Sequence, residues 1–444
     1  MREIKIFNSL SNKVEIFHPI EEGKISMYVC GPTVYNDAHI GNFRPAAFFD
    51  TFRNFLTYIG YEVKYVSNFT DVDDKIINRA LELNISEKEL TDKTIVEYLK
   101  VCEALNIHRA SLNPRVSETM DNIINFIDEL VKSGHAYVSG DDVYFRVNSI
   151  DNYGVLSNIK LDELKAGARI EENNMKENPF DFTLWKKTNV GITWDSPWGK
   201  GRPGWHTECV VMSEKYLGKV IDIHGGGFDL KFPHHENEIA QSEACVHTHL
   251  ANYWMHNGFL NINNEKMSKS LGNIITGKDA VNKWGGNLTR YLLISTYYRA
   301  PINLNDEYIE SCKTELEKID KSLNDLAKRL QILNIFGQKG ESTIDSFLDQ
   351  LANDVNISNA KTELFSLMKK INLDLRNPRI DNSELLNDYA SLTDMINILG
   401  LHFEVKILSD EDKKLLNEFN EARSNKNYEK ADELRTILIE KGIL

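Results

Sequence analysis

A chain of 444 residues with 27% charged and 41% hydrophobic side chains is long enough for two or three domains around a sizeable buried core. Its formal net charge of −14 excludes a surface that is basic throughout, as a non-specific nucleic-acid binder needs, and leaves room only for a local basic groove. No apolar run approaches the roughly 20 residues of a membrane span and Met1-Arg2-Glu3-Ile4 has no signal-peptide pattern, so a cytoplasmic protein without a membrane partner is expected.

The first elements follow quickly. Ile25 to Gly31 is a short apolar run closing on Gly31-Pro32, which predicts a buried strand running into a turn. A polar stretch, Thr33 to Asn42, then leads into a helical pattern from Ala46 to Ile59; a helix that opens beside a strand end can hold phosphate on its free amides. Tyr61 to Ser67 alternates like a strand, and Thr70-Asp71-Val72-Asp73-Asp74 is rich in capping residues ahead of a further helix. The order β-α-β-α predicts an α/β fold with a doubly wound, Rossmann-like parallel sheet, whose ligands sit beyond the carboxyl ends of the strands.

From about 115 to 200 the pattern changes to a helix, short strands such as Val143 to Val147, and a Gly- and Trp-rich loop from Trp194 to Trp205, which reads as an insertion between the two halves of the sheet. Val220 to Ile223 resumes the strands, and a helix is expected over Glu236 to Val246. Residues 250 to 310 form a linker holding the polar loop Glu265 to Asn273. Beyond about 310, Leu316, Ile319, Leu323, Leu326, Leu330 and Leu333 recur at helical spacing and predict a helix bundle to about 405, followed by a nearly charge-balanced segment, 406–444.

The chemistry concentrates in His224-Gly225-Gly226-Gly227-Phe228-Asp229-Leu230-Lys231-Phe232-Pro233-His234-His235-Glu236-Asn237-Glu238. Pro233 suits the first position of a helix, which sets His234 and Glu238 at i and i+4 on one face. The three glycines would let a backbone approach a bulky partner such as a nucleotide. Such a His/Glu pair is ordinarily a salt-bridged surface, and a metal role needs further ligands. Five cysteines, Cys30, Cys102, Cys209, Cys245 and Cys312, are too few and scattered for a disulfide framework. Cys30 closes the first strand and Cys209 follows Gly204-Trp205-His206-Thr207-Glu208; if both meet His234 and Glu238, a mixed Cys/Cys/His/Glu zinc site results.

His39-Ile40-Gly41-Asn42 and the downstream Lys266-Met267-Ser268-Lys269-Ser270 together resemble the two ATP signatures of class I aminoacyl-tRNA synthetases. Cys30 to Tyr35, Asn68 to Lys75, Trp198 to His206, the His224 to Glu238 stretch and His256 to Phe259 narrow the resemblance to the cysteinyl-tRNA synthetase family. The likeness is dense over about 20–310, weaker through the bundle, and visible again at Ala422 to Arg435.

The resemblance implies one Zn²⁺ per chain on Cys30, Cys209, His234 and Glu238, selecting the thiolate of L-cysteine. It implies a pocket with Trp205 as its wall and Thr70, His224 and His235 as its lining. ATP with Mg²⁺ would contact Gly41, Gly226, Asp229 and Lys269, and His39, Asn42, Lys266 and Lys269 would carry the activation step. The cysteinyl-adenylate would then pass to the 3′ end of tRNA(Cys), with 1–310 as the catalytic domain and 406–444 reading the anticodon, in a protein expected to be a monomer. The family usually has His where this chain has Asn42, which can hydrogen-bond but cannot carry charge. Two rival readings are a cysteine ligase acting on an amino sugar, which the helical C-terminal part disfavours, and a catalytically silent relative, which Lys266 and the intact metal set disfavour.

Overall fold

The computed structural model describes residues 2–159, 175–267, 272–377 and 379–443. The chain divides into two compact units, Met1–Asp306 with Ala352–Ile357, and Glu307–Leu351 with Ser358–Leu444.

The first unit is built on a four-stranded sheet in which β3 (Lys24–Val29), β4 (Glu62–Val66), β9 (Ile221–Gly227) and β10 (Ala251–Asn257) run parallel in the order β10-β9-β3-β4. Two further strands, β1 (Lys5–Asn8) and β2 (Lys13–Ile16), form a separate hairpin. Both faces of β9 are covered, as parallel sheets require, and its first six residues are buried. Helix α1 (Phe43–Tyr58) crosses from β3 to β4 and buries Phe48, Phe49, Phe52 and Phe55. Helices α2 (Asp74–Leu83) and α3 (Glu87–Ala104) follow, with Asp73 and Ser86 as side-chain caps.

The sheet grows one way from β3 to β4 and the other way from β9 to β10. Neighbouring β3 and β9 therefore mark the point where the winding reverses, and in open α/β sheets that crevice is the ligand site. Cys30 leaves the end of β3 there, its amide donating to Gly225 of β9 at 3.1 Å.

The insertion is a compact piece: α4 (Met120–Lys132) and an antiparallel sheet of β5 (Ala136–Ser139), β6 (Asp142–Phe145), β7 (Phe182–Lys187) and β8 (Gly201–Pro203). It delivers the chain to α5 (Trp205–Leu217), which carries Cys209. Gly204 turns this corner, where a Cβ would lie 1.8 Å from the carbonyl oxygen of Thr183. Helix α6 (Glu236–Val246) links β9 to β10. After β10 come β11 (Leu260–Ile262) and β12 (Glu265–Lys266), then α7 (Gly277–Ile294) and β13 (Ile302–Leu304), the three strands forming a small sheet in the order β12-β11-β13.

The second unit is helical, from α8 (Asp306–Ile332) through α9 (Asp345–Ala352), α10 (Ile357–Asp374), α11 (Asn382–Ile398), α12 (Asp410–Ser424) and α13 (Tyr428–Glu440). Leu316, Ile319, Leu323, Leu326 and Leu330 are buried as the spacing predicts, whereas Leu333 is half-buried past the helix end. Two boundaries differ from expectation. Residues 406–444 join the helical unit, because the core of α12 and α13 (Leu416, Phe419, Leu434, Leu438) takes in Ile332 of α8. Ala352–Ile357 belongs to the first unit, where Asp354 accepts from the Phe7 amide at 2.7 Å and from the Tyr298 hydroxyl at 2.9 Å. Among the described residues no helix is long and apolar enough to cross a membrane.

Candidate metal centre and nucleotide site

Cys30, Cys209, His234 and Glu238 come from four places: the end of β3, the second turn of α5, the turn before α6, and α6 itself. Each offers a ligand atom, and all four atoms lie within 4.8 Å of one another. The two sulfurs are 3.5 Å apart, Cys30 Sγ is 3.6 Å from Glu238 Oε1, and Glu238 Oε1 is 2.9 Å from His234 Nε2. Three of the four are buried and Cys30 is half-buried.

The His234–Glu238 spacing arises differently from the expected helix start. Regular helix begins only at Glu236; Lys231–His235 is a wider turn interrupted by extended Phe232 (φ −141°, ψ 133°). Pro233 therefore does not open the helix, yet both side chains still converge.

Electrostatics shows what the cluster lacks. His224 Nε2 lies 2.6 Å from Glu238 Oε2, and with His234 Nε2 and Glu238 Oε2 it is buried without hydrogen-bond geometry to any described residue. Buried polar atoms are seldom left so, because each forfeits its hydration. Burial alone would raise the Glu238 carboxyl, but His224 and His234 outweigh it and hold it well below the usual range. Burial would lower His234, but Glu238 and Cys209 raise it to about 10. Cys209 is brought down to about 6, first by the Cys30 thiol donating to it, while burial pushes Cys30 well up. A protonated imidazole between a carboxylate and a thiolate marks where a cation is stable. Two sulfurs, one imidazole and one carboxylate are a donor set that suits zinc.

Around this set stand residues absent from the sequence-based candidates. His206 Nδ1 is 3.0 Å from His234 Nδ1, and His235 Nδ1 is 2.9 Å from His256 Nε2, whose other nitrogen lies 2.8 Å from Ser9 Oγ. The signal for His206 was its place three residues before Cys209 on one helix face. His224 and His235, expected to line the cysteine pocket, are fully buried, and His235 Nε2 lies 3.4 Å from Cys30 Sγ. Cys30, His224, His235 and Glu238 thus form a second overlapping set of possible ligands.

Trp205 is 38% exposed and stacks on His234, ring centres 4.1 Å apart and 23° from parallel, which places an open aromatic wall beside the cluster. Thr70 is held by main-chain bonds to the loop after β3, from its amide to Pro32 O and from the Val34 amide to its own carbonyl. Its hydroxyl donates to Glu208 Oε2 at 2.9 Å and accepts from Asn68 Nδ2 at 3.2 Å. Burial raises Glu208 well above the usual carboxylate range.

The first signature is a single 3₁₀ turn, Ile40–Asn42, ahead of α1. Its strand-side neighbours pair with the chain that follows the second signature: the Ile40 amide donates to Ile275 at 2.9 Å and the Gly277 amide to Ala38 at 2.8 Å. A Cβ on Gly41 would lie 3.0 Å from the Met267 methyl, so the two signatures touch. Burial keeps His39 below its usual pKa despite the opposing pull of the Asp229 carboxylate. Asn42 is exposed and its Oδ1 accepts from the His39 amide at 3.1 Å. Lys266 is exposed, 5.2 Å from the ring centre of Phe259. Lys269 lies outside the described residues.

The glycine run serves a different purpose from the one its sequence suggests. A Cβ on Gly225 would lie 2.1 Å from the ring of Phe49, and one on Gly226 would lie 2.9 Å from Leu230 and 3.0 Å from His235. At those two positions the space is filled by the protein's own side chains.

A doubly wound sheet with two touching signatures at the mouth of its switch point defines a class I aminoacyl-tRNA synthetase catalytic unit. Residues 16–314 match the family model described as the tRNA synthetases class I (C) catalytic domain. The solved methionyl-tRNA synthetase of Mycobacterium tuberculosis in complex with methionyl-adenylate shares the fold at TM-score 0.62 and 14% identity, over 85% of this chain and 89% of that one. The arginyl-tRNA synthetase of Thermus thermophilus does so at 0.58 and 12%, over 90% and 85%. The cysteine–tRNA ligase of Exiguobacterium sibiricum is 48% identical over 99% of this chain and 97% of its own length, and that of Staphylococcus aureus 47% identical over the same shares. The chain belongs to the cysteine–tRNA ligase family, and it is an enzyme that aminoacylates tRNA.

Proposed function

We propose that Cys30, Cys209, His234 and Glu238 hold one zinc ion, and that this centre selects L-cysteine for joining to tRNA(Cys). The observation that carries the reading is the convergence of four ligand atoms, one of them, His234 Nε2, buried without hydrogen-bond geometry, at the sheet's switch point. Bound zinc would supply a soft Lewis acid that prefers a thiolate to a hydroxyl, which separates cysteine from serine without an editing domain.

The remaining groups bind and orient. Trp205 packs beside the substrate, Thr70 fixes the pocket edge through Glu208 and the loop after β3, and His224 and His235 act through Glu238 and Cys30. In activation the substrate carboxylate attacks the α-phosphorus of Mg²⁺-bound ATP and pyrophosphate leaves with the bonding pair, so the protein chiefly places the groups and neutralises charge. His39 and Asn42, in the turn ahead of α1, hold phosphate, with Gly41 and Asp229 on the nucleotide side and Lys266 and Lys269 on the leaving pyrophosphate. A ribose hydroxyl at the tRNA 3′ end then attacks the adenylate carbonyl and AMP departs. Residues 406–444 read the anticodon.

The test is cysteine-dependent ATP–pyrophosphate exchange and acid-precipitable charging of unfractionated tRNA, with zinc content measured on the same sample. Exchange and charging with one zinc per chain are expected. Exchange without charging would overturn the tRNA assignment in favour of an amino-sugar acceptor, and active protein free of zinc would overturn the metal role.

A further inference from the structure

Arg44 lies two residues past Asn42 at the start of α1, and it is 1% exposed. Its guanidinium enters a place where main-chain carbonyls converge. Nη1 donates to Gly258 O at 2.5 Å and Phe259 O at 3.0 Å; Nη2 donates to Ala300 O at 2.7 Å and Tyr297 O at 3.4 Å.

These carbonyls belong to two segments that root the same small sheet. Gly258-Phe259 leads from β10 into β11, and Tyr297 to Ala300 leads into β13, which pairs with β11 at Leu260 and Ile302. Strand β12, paired with β11 through Ile262 and Glu265, ends on Lys266. The two roots are pressed together at Gly258, where a Cβ would lie 2.5 Å from Ala300 O and 2.6 Å from Arg299 O. Carbonyl oxygens this crowded repel unless donors stand between them, and a planar guanidinium places several N–H groups in one fixed fork. A lysine ammonium carries the charge but cannot span both segments.

The far side of the second signature is already tied to the first through Ile40–Ile275 and Ala38–Gly277. Arg44 ties the near side. Residues 38–44 thereby hold both ends of the stretch that carries Lys266.

We propose that Arg44 is a positioning residue: it fixes the Lys266 hairpin against the His39–Asn42 turn, so that both signatures present one geometry to ATP. The proposal rests on the reading of His39 and Lys266 as phosphate-binding groups. It acts through main chain and touches no reacting atom.

The experiment compares full-length wild type with Arg44→Lys and Arg44→Met in amide hydrogen exchange, zinc content and the kinetics of ATP–pyrophosphate exchange. In Arg44→Lys, faster amide exchange is expected at 258–266 and 297–302 while β3 and β9 stay protected. The exchange kcat should fall by about a hundredfold, the effect of ångström-scale misplacement, with KM for cysteine and zinc content unchanged. Unaltered protection at 258–266, or an unaltered kcat in the folded Arg44→Lys protein, overturns the proposal. If Arg44→Met fails to fold, the charge-retaining lysine variant still decides. A Lys266→Ala control separates the two readings: full activity there strikes the role given to Lys266, whereas the clamp is read independently from amide protection.

Discussion

Nδ1 of His206 lies 3.0 Å from Nδ1 of His234. Two like nitrogens at that distance share a hydrogen only if one carries it and the other does not. Burial first, and then His234, brings His206 down to about 3, so His206 is the neutral acceptor and His234 the donor. That fixes the His234 ring with Nε2 toward Glu238, the orientation a metal ligand needs, since the outer partner of a ligating histidine sets its tautomer. His206→Ala should therefore weaken zinc binding by about 10–100-fold without unfolding the protein. Competition with a chromogenic chelator measures this, and equal affinities would remove the orienting role.

Zinc binding should release protons. Without metal, His234 with its pKa near 10 and Cys30, pushed up by burial, both hold protons at pH 7.5, whereas Cys209 at about 6 is already a thiolate. A metal ion takes the lone pairs those protons occupy, so about two protons should leave per zinc. Affinity then rises with pH across neutrality and falls more steeply below about pH 6, where Cys209 also takes a proton. Calorimetry in two buffers of different ionisation heat gives the number directly, and a heat independent of buffer would contradict it.

The convergence of Cys30, His234 and Glu238 had local signals in sequence: Cys30 ends an apolar strand, and His234 and Glu238 stand four apart. The β-α-β-α order likewise foretells the parallel sheet. What escaped has no local trace. Glu208 meets Thr70 across 138 residues and Arg44 meets Ala300 across 256, and neither separation leaves a periodic mark. The glycine run misled for a related reason. Missing side chains announce that something comes close, but Phe49, Leu230 and His235 are brought there by tertiary packing.

Asn42 should suffice where the resemblance implies His. Its Oδ1 accepts the His39 amide at 3.1 Å and closes the turn before α1. Alanine removes that bond, which at an exposed turn is worth about 0.5–1.5 kcal/mol, so Asn42→Ala should lower the activation rate by roughly two- to tenfold. Asn42→His, which places a hydrogen-bonding ring nitrogen at the site, should not. ATP–pyrophosphate exchange decides, and equal rates for the three forms would sink the idea.

Asp50 and Arg290 form a buried ion pair that holds α1, the end of α3 and α7 together beneath the first signature. Arg290 Nη2 donates to Asp50 Oδ2 at 2.8 Å and Arg290 Nη1 donates to the carbonyls of Leu105 and Asn106, while the His108 amide donates to Asp50 Oδ1 at 3.0 Å. Both side chains of the pair are fully buried. Burial would raise Asp50, yet His108 and Arg290 outweigh it and its pKa falls below the usual 3.8. A carboxylate with a depressed folded pKa stabilises fully above its unfolded pKa, and that contribution is lost as pH falls through the folded value. Stability should thus drop as pH is lowered below about 4, and the part due to this pair should vanish from the pH profile of Asp50→Asn. Arg290→Met leaves a buried carboxylate without its buried guanidinium partner and should cost about 3–5 kcal/mol in urea unfolding. Removing both charges in Asp50→Leu/Arg290→Met should recover most of that loss, because two apolar groups need no solvent. A double variant as unstable as Arg290→Met would mean that the carbonyls of Leu105 and Asn106, and not the carboxylate, are what Arg290 is there to satisfy.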